Sequence, residues 1–148
     1  MEDIWTRINN DVPMYMESIC REYKLLCIKI SPLKTALICK KYALIIEIDR
    51  FDSCLCYVYR EEGNIMAYSC GNYFAQKYDE EDRVNLLNGN GANIMIRNDI
   101  IITANGLLNK WKNVLSGERE WLVDYKNSSR YSLIKLTKEE RIVIDKYL

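Results

Sequence analysis

The sequence has 148 residues, of which 28% are charged and 49% are apolar in the broad sense, so it is long enough to bury one sizeable core. Its 21 basic and 21 acidic side chains cancel, which argues against general DNA or RNA binding, because that requires a basic surface. There is no histidine, which excludes histidine-dependent catalytic triads and every metal site with a histidine ligand. We therefore expect one domain, residues 1–148, that is not an enzyme.

The N-terminal sequence, MEDIWTRINN, lacks the basic and apolar regions of a secretory signal. No segment approaches the roughly 18 uninterrupted apolar residues of a membrane helix. We therefore expect a cytoplasmic protein with no membrane contact. Its six cysteines are then expected to be reduced and to act mainly as small buried hydrophobic residues.

The first third of the chain predicts a helix followed by two strands. Apolar residues recur at helical spacing over residues 3–23, and Pro13 predicts either a kink or the start of a second helix near Asp11. Residues 25–30 alternate in the manner of a strand, and residues 35–39 predict another.

A hairpin over residues 42–60 is the strongest strand signal. Its first strand places Tyr42, Leu44, Ile46 and Ile48 on one face, and a polar turn at residues 50–53 leads into a second alternating strand. A turn at residues 61–64 and a strand at residues 65–70 follow. Five consecutive strands with short connections favour an antiparallel meander.

The remaining residues predict helices. Asp79 is a candidate N-cap of a short helix, and residues 92–115 carry a wide apolar stripe that Gly106 interrupts and Gly117 ends. Residues 118–126 predict a further helix, and Thr137 opens a capping box before the last one. The predicted fold class is α+β: an N-terminal helix, an antiparallel sheet of about five strands, and C-terminal helices packed on one sheet face.

Two groups of side chains are candidates for a functional site. Glu47, Asp49 and Asp52 lie near the hairpin end, where they are interpreted as a solvated sheet edge, an acidic patch for a basic partner, or a carboxylate site for Mg²⁺ or acid–base catalysis. Cys54 and Cys56 share a strand face, and core packing explains them better than metal binding or redox chemistry. The sequence therefore predicts no metal site and no cofactor.

Tyrosine is frequent, at 11 residues, and it is common at protein interfaces because it offers a large amphipathic surface with few rotatable bonds. Tyr57 and Tyr59 follow the acidic turn on one face of the second hairpin strand. With Glu47, Asp49 and Asp52 they form the predicted partner-binding residues, the tyrosines as aromatic anchors.

The layout and composition of the whole chain, with segments such as ISPLKTA at residues 30–36 and YFAQKYDEEDR at residues 73–83, resemble the immunity proteins of bacterial polymorphic-toxin and contact-dependent inhibition systems. That resemblance implies a non-catalytic domain that captures a cognate toxin domain, often a nuclease. The alternatives are a chaperone or adaptor that binds a peptide-like client at a sheet edge, and a small-molecule binder with a cavity between sheet and long helix. The oligomeric state stays open.

Overall fold

A computed structural model describes residues 3–148. The chain begins with two helices, α1 (Ile4–Tyr15) and α2 (Glu17–Tyr23). Five strands follow: β1 (Leu26–Ser31), β2 (Lys34–Ile38), β3 (Ala43–Ile48), β4 (Ser53–Glu61) and β5 (Asn64–Ser69). The rest is helical: α3 (Gly71–Ala75), a 3₁₀ turn (Glu80–Asp82), α4 (Ala92–Lys110), α5 (Lys112–Leu115), α6 (Trp121–Asn127) and α7 (Lys138–Tyr147).

The five strands form one antiparallel sheet whose spatial order is the order of the chain. β3 and β4 pair from Ala43 opposite Val58 to Ile48 opposite Ser53, so the hairpin predicted at residues 42–60 is confirmed. Short connections allow each strand to pair with the one before it, because an antiparallel pair needs only a tight turn. The predicted α+β class, with an N-terminal helix, a five-stranded antiparallel sheet and C-terminal helices, is confirmed.

One face of the sheet is covered by α1 and α4, which also pack against each other. Arg97 of α4 joins them, because its Nη1 donates to Asp11 Oδ2 at 2.8 Å and to the Tyr15 hydroxyl at 2.9 Å. The strand residues in this core occupy every second position of each strand, so they share one face of the sheet. They include Leu37, Tyr42, Leu44, Ile46, Ile48, Leu55, Tyr57, Tyr59 and Tyr68. Each such buried side chain contributes about 1.5–3 kcal/mol through removal of its apolar surface from water.

The second face of the sheet is covered as well, which differs from the predicted packing of all C-terminal helices on one face. Ile144 of α7 and Leu136 pack there against the strand residues that point to this second face. These are Ala36, Ile38, Ala43, Ile45, Val58 and Ala67. The central strands are apolar on both faces, so both faces must be covered by other elements to keep those side chains out of water. Thr137 begins α7 with the predicted capping box, in which its side chain accepts from the Glu140 N–H and Glu140 accepts from the Thr137 N–H.

The open edge of β5 is closed by the segment that leads to α7. Ser69 N–H donates to the Ser132 carbonyl at 2.9 Å, and Ile134 N–H donates to the Ala67 carbonyl at 2.9 Å. The Tyr125 hydroxyl accepts from Ser132 N–H at 2.8 Å and donates to the Ser69 carbonyl at 2.9 Å, which fixes this segment against α6. At the opposite side of the sheet, the outer edge of β1 pairs with no other strand in residues 3–148.

Helix boundaries differ from the predicted ones at several places. Pro13 lies inside α1, and the break between the first two helices comes three residues later, at Met16. The predicted helix over residues 92–115 divides at Trp111, whose φ of −129° is not helical. The helix predicted from residue 118 begins at Trp121, whereas the short α3 was not predicted. Within residues 3–148, none of the helices combines the length and the apolar character that crossing a bilayer requires.

At two positions the structure explains why the residue is glycine. Gly117 has a φ of +88°, so it ends α5 in a conformation that other residues rarely adopt. Gly106 lies in α4 where the Tyr78 ring approaches the backbone, and a Cβ there would lie 2.2–2.6 Å from three ring carbons.

Candidate functional site

The turn between β3 and β4, residues 49–52, is called the hairpin tip below. It is closed by the Asp49 N–H, which donates to the Asp52 carbonyl at 2.9 Å, and by the Arg50 N–H, which donates to Asp49 Oδ1 at 2.7 Å. Trp5 of α1 holds it from one side, because its indole Nε1–H donates to the Arg50 carbonyl at 3.3 Å. The tip is therefore fixed to the helical layer rather than projecting freely.

A second anchor joins the hairpin tip to α4. Asp99 Oδ2 accepts from the Ser53 N–H at 2.9 Å and from the Ser53 hydroxyl at 2.6 Å. Hydrogen bonds to a carboxylate are stronger than those between neutral groups, so this contact sets the position of the tip relative to the helix. A rigid contact surface loses less conformational entropy when a partner binds.

Phe51 stands on the hairpin tip with 58% of its side chain exposed. The second phenylalanine of the chain, Phe74, is fully buried, so exposure is not a general property of this residue type here. The Arg50 guanidinium lies 5.7 Å from the Phe51 ring centroid. The sequence interpretation missed Phe51, although an aromatic residue inside a polar turn between two strands was the available signal.

Two of the predicted acidic residues, Asp49 and Asp52, are exposed and lie at the hairpin tip. Burial, together with the negative charges of Asp99 and Asp49, raises the pKa of Asp52. Within residues 3–148 no Lys or Arg side chain lies in ion-pair distance of either one. Neither carboxylate is therefore neutralised by an ion pair within the described residues, and Arg50 offsets part of the negative charge of the tip.

Glu47 has a different environment. Its carboxylate lies 3.8 Å from Lys34 Nζ, which is also 3.7 Å from the buried Glu140. It is paired with Cys54 across the β3–β4 ladder and points to the second face of the sheet. Glu47 is therefore a flanking, partly neutralised charge and not part of the tip.

Cys54 completes a group with Asp49 and Asp52 in which one potential ligand atom from each residue lies within 4.8 Å of the others. Its thiol donates to Asp49 Oδ2 at 4.0 Å, and burial together with the surrounding carboxylates raises its pKa to about 11. Mg²⁺ prefers oxygen ligands, which only the two carboxylates of this group supply. Asp49 and Asp52 therefore give this group the character of an acidic surface.

A cleft of about 320 Å³ opens beside the hairpin tip. Its walls come from the start of β4, from α3, from α4 and from the loop between the two helices, and they include Asp52, Asn72, Tyr78, Arg83 and Asp99. The Tyr78 hydroxyl is buried and finds no hydrogen-bond partner among residues 3–148. Burial and the nearby carboxylates of Asp82 and Asp99 raise the pKa of Tyr78, so this hydroxyl is a neutral donor.

Tyr57 and Tyr59 do not lie on the surface, which corrects their assignment as aromatic anchors. Tyr57 is 0% exposed, with its ring 5.7 Å from Tyr42 and 4.9 Å from Trp121, centroid to centroid. Tyr59 is 2% exposed and lies under the Arg119 guanidinium, 4.6 Å from its ring centroid. Both rings lie on the sheet face that α1 and α4 cover. They therefore stabilise the core and offer a partner almost no side-chain surface.

Comparison of the chain with protein-family models, with curated proteins and with solved structures gave no match.

Proposed function

We propose that this chain is a non-catalytic protein-binding domain of the immunity-protein kind, which captures and neutralises a cognate toxin domain in the cytoplasm. The observation that carries the proposal is Phe51, which is 58% exposed on a rigid turn between two unpaired carboxylates. An exposed aromatic ring within a polar rim is the arrangement that concentrates binding energy at protein interfaces.

The rigidity of the hairpin tip supports this role. Trp5 and Asp99 anchor the backbone on either side of Phe51 to two helices, which limits the positions that the ring can take. Aromatic anchors contribute most when they enter a partner pocket without first losing conformational freedom. The tip replaces Tyr57 and Tyr59 as the source of the aromatic contact.

The charge of the hairpin tip favours a basic partner. Asp49 and Asp52 form no ion pair within residues 3–148, and their charge would attract a positively charged surface and speed association. The adjoining cleft deepens this surface, because Asp52 and Asp99 both line it and would accept a Lys or Arg side chain of the partner. Nuclease toxins fit this requirement, since they need basic surfaces to bind nucleic acid.

The test is a binding titration between this protein and the C-terminal toxin domain of the polypeptide encoded beside it. The variants are Phe51→Ser and the double variant Asp49→Lys/Asp52→Lys. We expect each to weaken capture by at least about tenfold, because the first removes the anchor and the second reverses the rim charge. Co-expression with the toxin domain in a growth assay should show the same loss of protection.

Matched controls separate the site from general effects of the substitutions. Val123→Ser removes an apolar side chain that is 68% exposed on α6, and Glu22→Lys/Glu120→Lys changes the net charge by the same amount as the tip variant. Both controls should bind as the unmodified protein does. Equal binding by the tip variants and the controls would remove the hairpin tip from the interface, and no capture by the unmodified protein would refute the proposed function.

Binding of a small polar molecule in the cleft is the second candidate, and the unpartnered Tyr78 hydroxyl favours it. A buried polar group without a partner costs about 1–3 kcal/mol, and a ligand that accepts its hydrogen bond removes that cost. A thermal-shift screen of polar metabolites with the unmodified protein and Tyr78→Phe tests this. A ligand of the cleft should shift the melting temperature of the unmodified protein more than that of the variant.

A further inference from the structure

The cleft beside the hairpin tip has walls of opposite charge. Asp52 and Asp99 line it with carboxylates, and Arg83 lines it with a guanidinium group. Within residues 3–148 the side chains of Asp52 and Arg83 form no ion pair. Asp99 accepts the two hydrogen bonds of Ser53 at Oδ2, and its Oδ1 accepts none from the described chain. Charges of both signs are therefore available to a ligand.

The helix α4 positions the backbone of both charged groups. Asp99 is part of this helix, and Asn105 of the same helix holds the loop that carries Arg83. The Asn105 Nδ2 donates to the carbonyls of Asp82 and Val84, the two neighbours of that arginine, at 3.1 Å each. Asn105 lies about 9 Å further along the helix axis than Asp99, at about 1.5 Å per residue. The acidic and the basic group are therefore held at separate points along one helix.

We propose that the cleft binds a free amino acid of the lysine type, whose carboxylate contacts Arg83 and whose two ammonium groups contact Asp52 and Asp99. This proposal rests on the second candidate function, the binding of a small polar molecule in the cleft, and not on the capture of a toxin domain.

The size and lining of the cleft fit a molecule of this kind. Its volume of about 320 Å³ lies at the lower end of the range for small-molecule sites, about 300–1,000 Å³. Leu55, Ala75 and Ile102 add apolar side chains to the walls, which suit the methylene groups of a lysine-type side chain. A ligand with charged ends and an apolar middle therefore matches the residues of the cleft.

The charges of the walls indicate the charges of the ligand. Two carboxylates and one guanidinium group give a net charge of −1, which a ligand with two cationic groups and one anionic group balances. Burial, together with the charges of Asp99 and Asp49, raises the pKa of Asp52, and a cation between the carboxylates offsets their repulsion. A diamine would leave Arg83 without a partner, whereas an amino acid with a neutral side chain lacks the second cation.

Tyr78 supplies a further donor. It lines the cleft, and its buried hydroxyl finds no hydrogen-bond partner in the part of the chain that the structure describes. Because this hydroxyl is neutral, it adds to Arg83 a second group that favours an oxygen acceptor on the ligand.

The experiment is a calorimetric titration of the full-length protein with L-lysine, cadaverine and L-norleucine. Cadaverine is lysine without the carboxylate, and norleucine is lysine without the side-chain ammonium group. We expect lysine to bind, and each of the other two probes to bind at least about tenfold more weakly, because each loses a charge-assisted hydrogen bond.

Two variants test the assigned contacts. Arg83→Gln should weaken lysine binding by about tenfold and leave cadaverine binding unchanged, since cadaverine has no carboxylate. Asp52→Asn should weaken the binding of both lysine and cadaverine. The control variants Arg130→Gln and Glu22→Gln remove the same charges at exposed positions that do not line the cleft, so both should bind lysine as the unmodified protein does.

Three results would overturn the proposal: no binding of lysine, equal binding of lysine and cadaverine, or equal binding of lysine and its Nα-acetyl methylamide. The last result would assign the cleft to a lysine side chain of a protein partner, which has no free carboxylate. Circular dichroism of each variant establishes that the comparison is made between folded proteins.

The thermal-shift screen separates failure of this ligand class from failure of the second candidate function. If lysine does not bind but another polar metabolite stabilises the unmodified protein more than Tyr78→Phe, the ligand class is wrong and the cleft is still a binding site. If no compound does so, the second candidate function is refuted as well.

Discussion

Gly106→Ala tests whether the Tyr78 ring packs directly on the backbone of α4. In an unobstructed helix this change stabilises a protein by about 1 kcal/mol, because glycine is the poorer helix former. Here the new Cβ would lie 2.2 Å from the nearest ring carbon, so the ring must move by about 1.5 Å to reach ordinary van der Waals contact. Overpacking of this kind costs about 1–3 kcal/mol, which exceeds or cancels the gain in helix propensity, so we expect a net destabilisation of about 0–2 kcal/mol.

A double-mutant cycle isolates this contact from the helix propensity. Urea unfolding of the unmodified protein, Gly106→Ala, Tyr78→Ala and the double variant gives four free energies of unfolding. In the Tyr78→Ala background the obstruction is gone, so Gly106→Ala should stabilise the protein by about 1 kcal/mol. The coupling free energy between the two positions then equals the overpacking cost, about 1–3 kcal/mol.

A stabilising effect of Gly106→Ala in the presence of Tyr78 would refute this reasoning, because it would mean that the ring does not occupy the space above Gly106. The result also bears on the cleft, since Tyr78 forms part of its wall. Displacing the ring changes the shape of the cleft without changing its charge.

Three further changes give measurable effects on stability. The pKa of Asp52 is raised above its ordinary value of 3.8, so the folded chain binds the proton more tightly than the unfolded chain. Stability therefore falls as the pH rises from 3.8 through the pKa of the folded state. Asp52→Asn should slightly raise the melting temperature at about pH 7 and leave it unchanged at about pH 3. Tyr125→Phe leaves the Ser132 N–H without its acceptor and should lower the free energy of unfolding in urea by about 1–3 kcal/mol. Thr137→Ala removes the cap of α7 and should cost about 1 kcal/mol in the same assay, whereas Thr137→Ser should retain most of the stability.

The strands and the caps could be predicted because each depends on residues close in sequence. Alternation assigned Tyr57 and Tyr59 to one face of β4 and Cys54 and Cys56 to the other, as the structure has them. The N-cap at Asp79 and the capping box at Thr137 depend on residues within three positions, and both are present, although Asp79 caps a 3₁₀ turn of three residues and not a helix of ordinary length.

Packing between distant elements could not be predicted in the same way. Alternation tells which residues share a face of a strand, but it does not tell which face a helix covers, and here helices cover both. Tyr57 and Tyr59 were therefore assigned to an interface although they lie under the helical layer. Of the residues predicted to bind a partner, Asp49 and Asp52 lie at the exposed hairpin tip. Phe51 lies in the same turn and was missed, whereas the contact of Asp99 depends on how α4 meets the turn and no local pattern indicates it.

The cover of the second sheet face has a consequence for synthesis of the protein. Residues 131–148 close the edge of β5 and supply Leu136 and Ile144 to that face, yet they are translated after every strand. Until they leave the ribosome, the emerging sheet presents an apolar face and an unpaired strand edge. Such surfaces associate readily with other unfinished chains, so the chain is prone to aggregate at the stage when its strands have been translated and residues 131–148 have not.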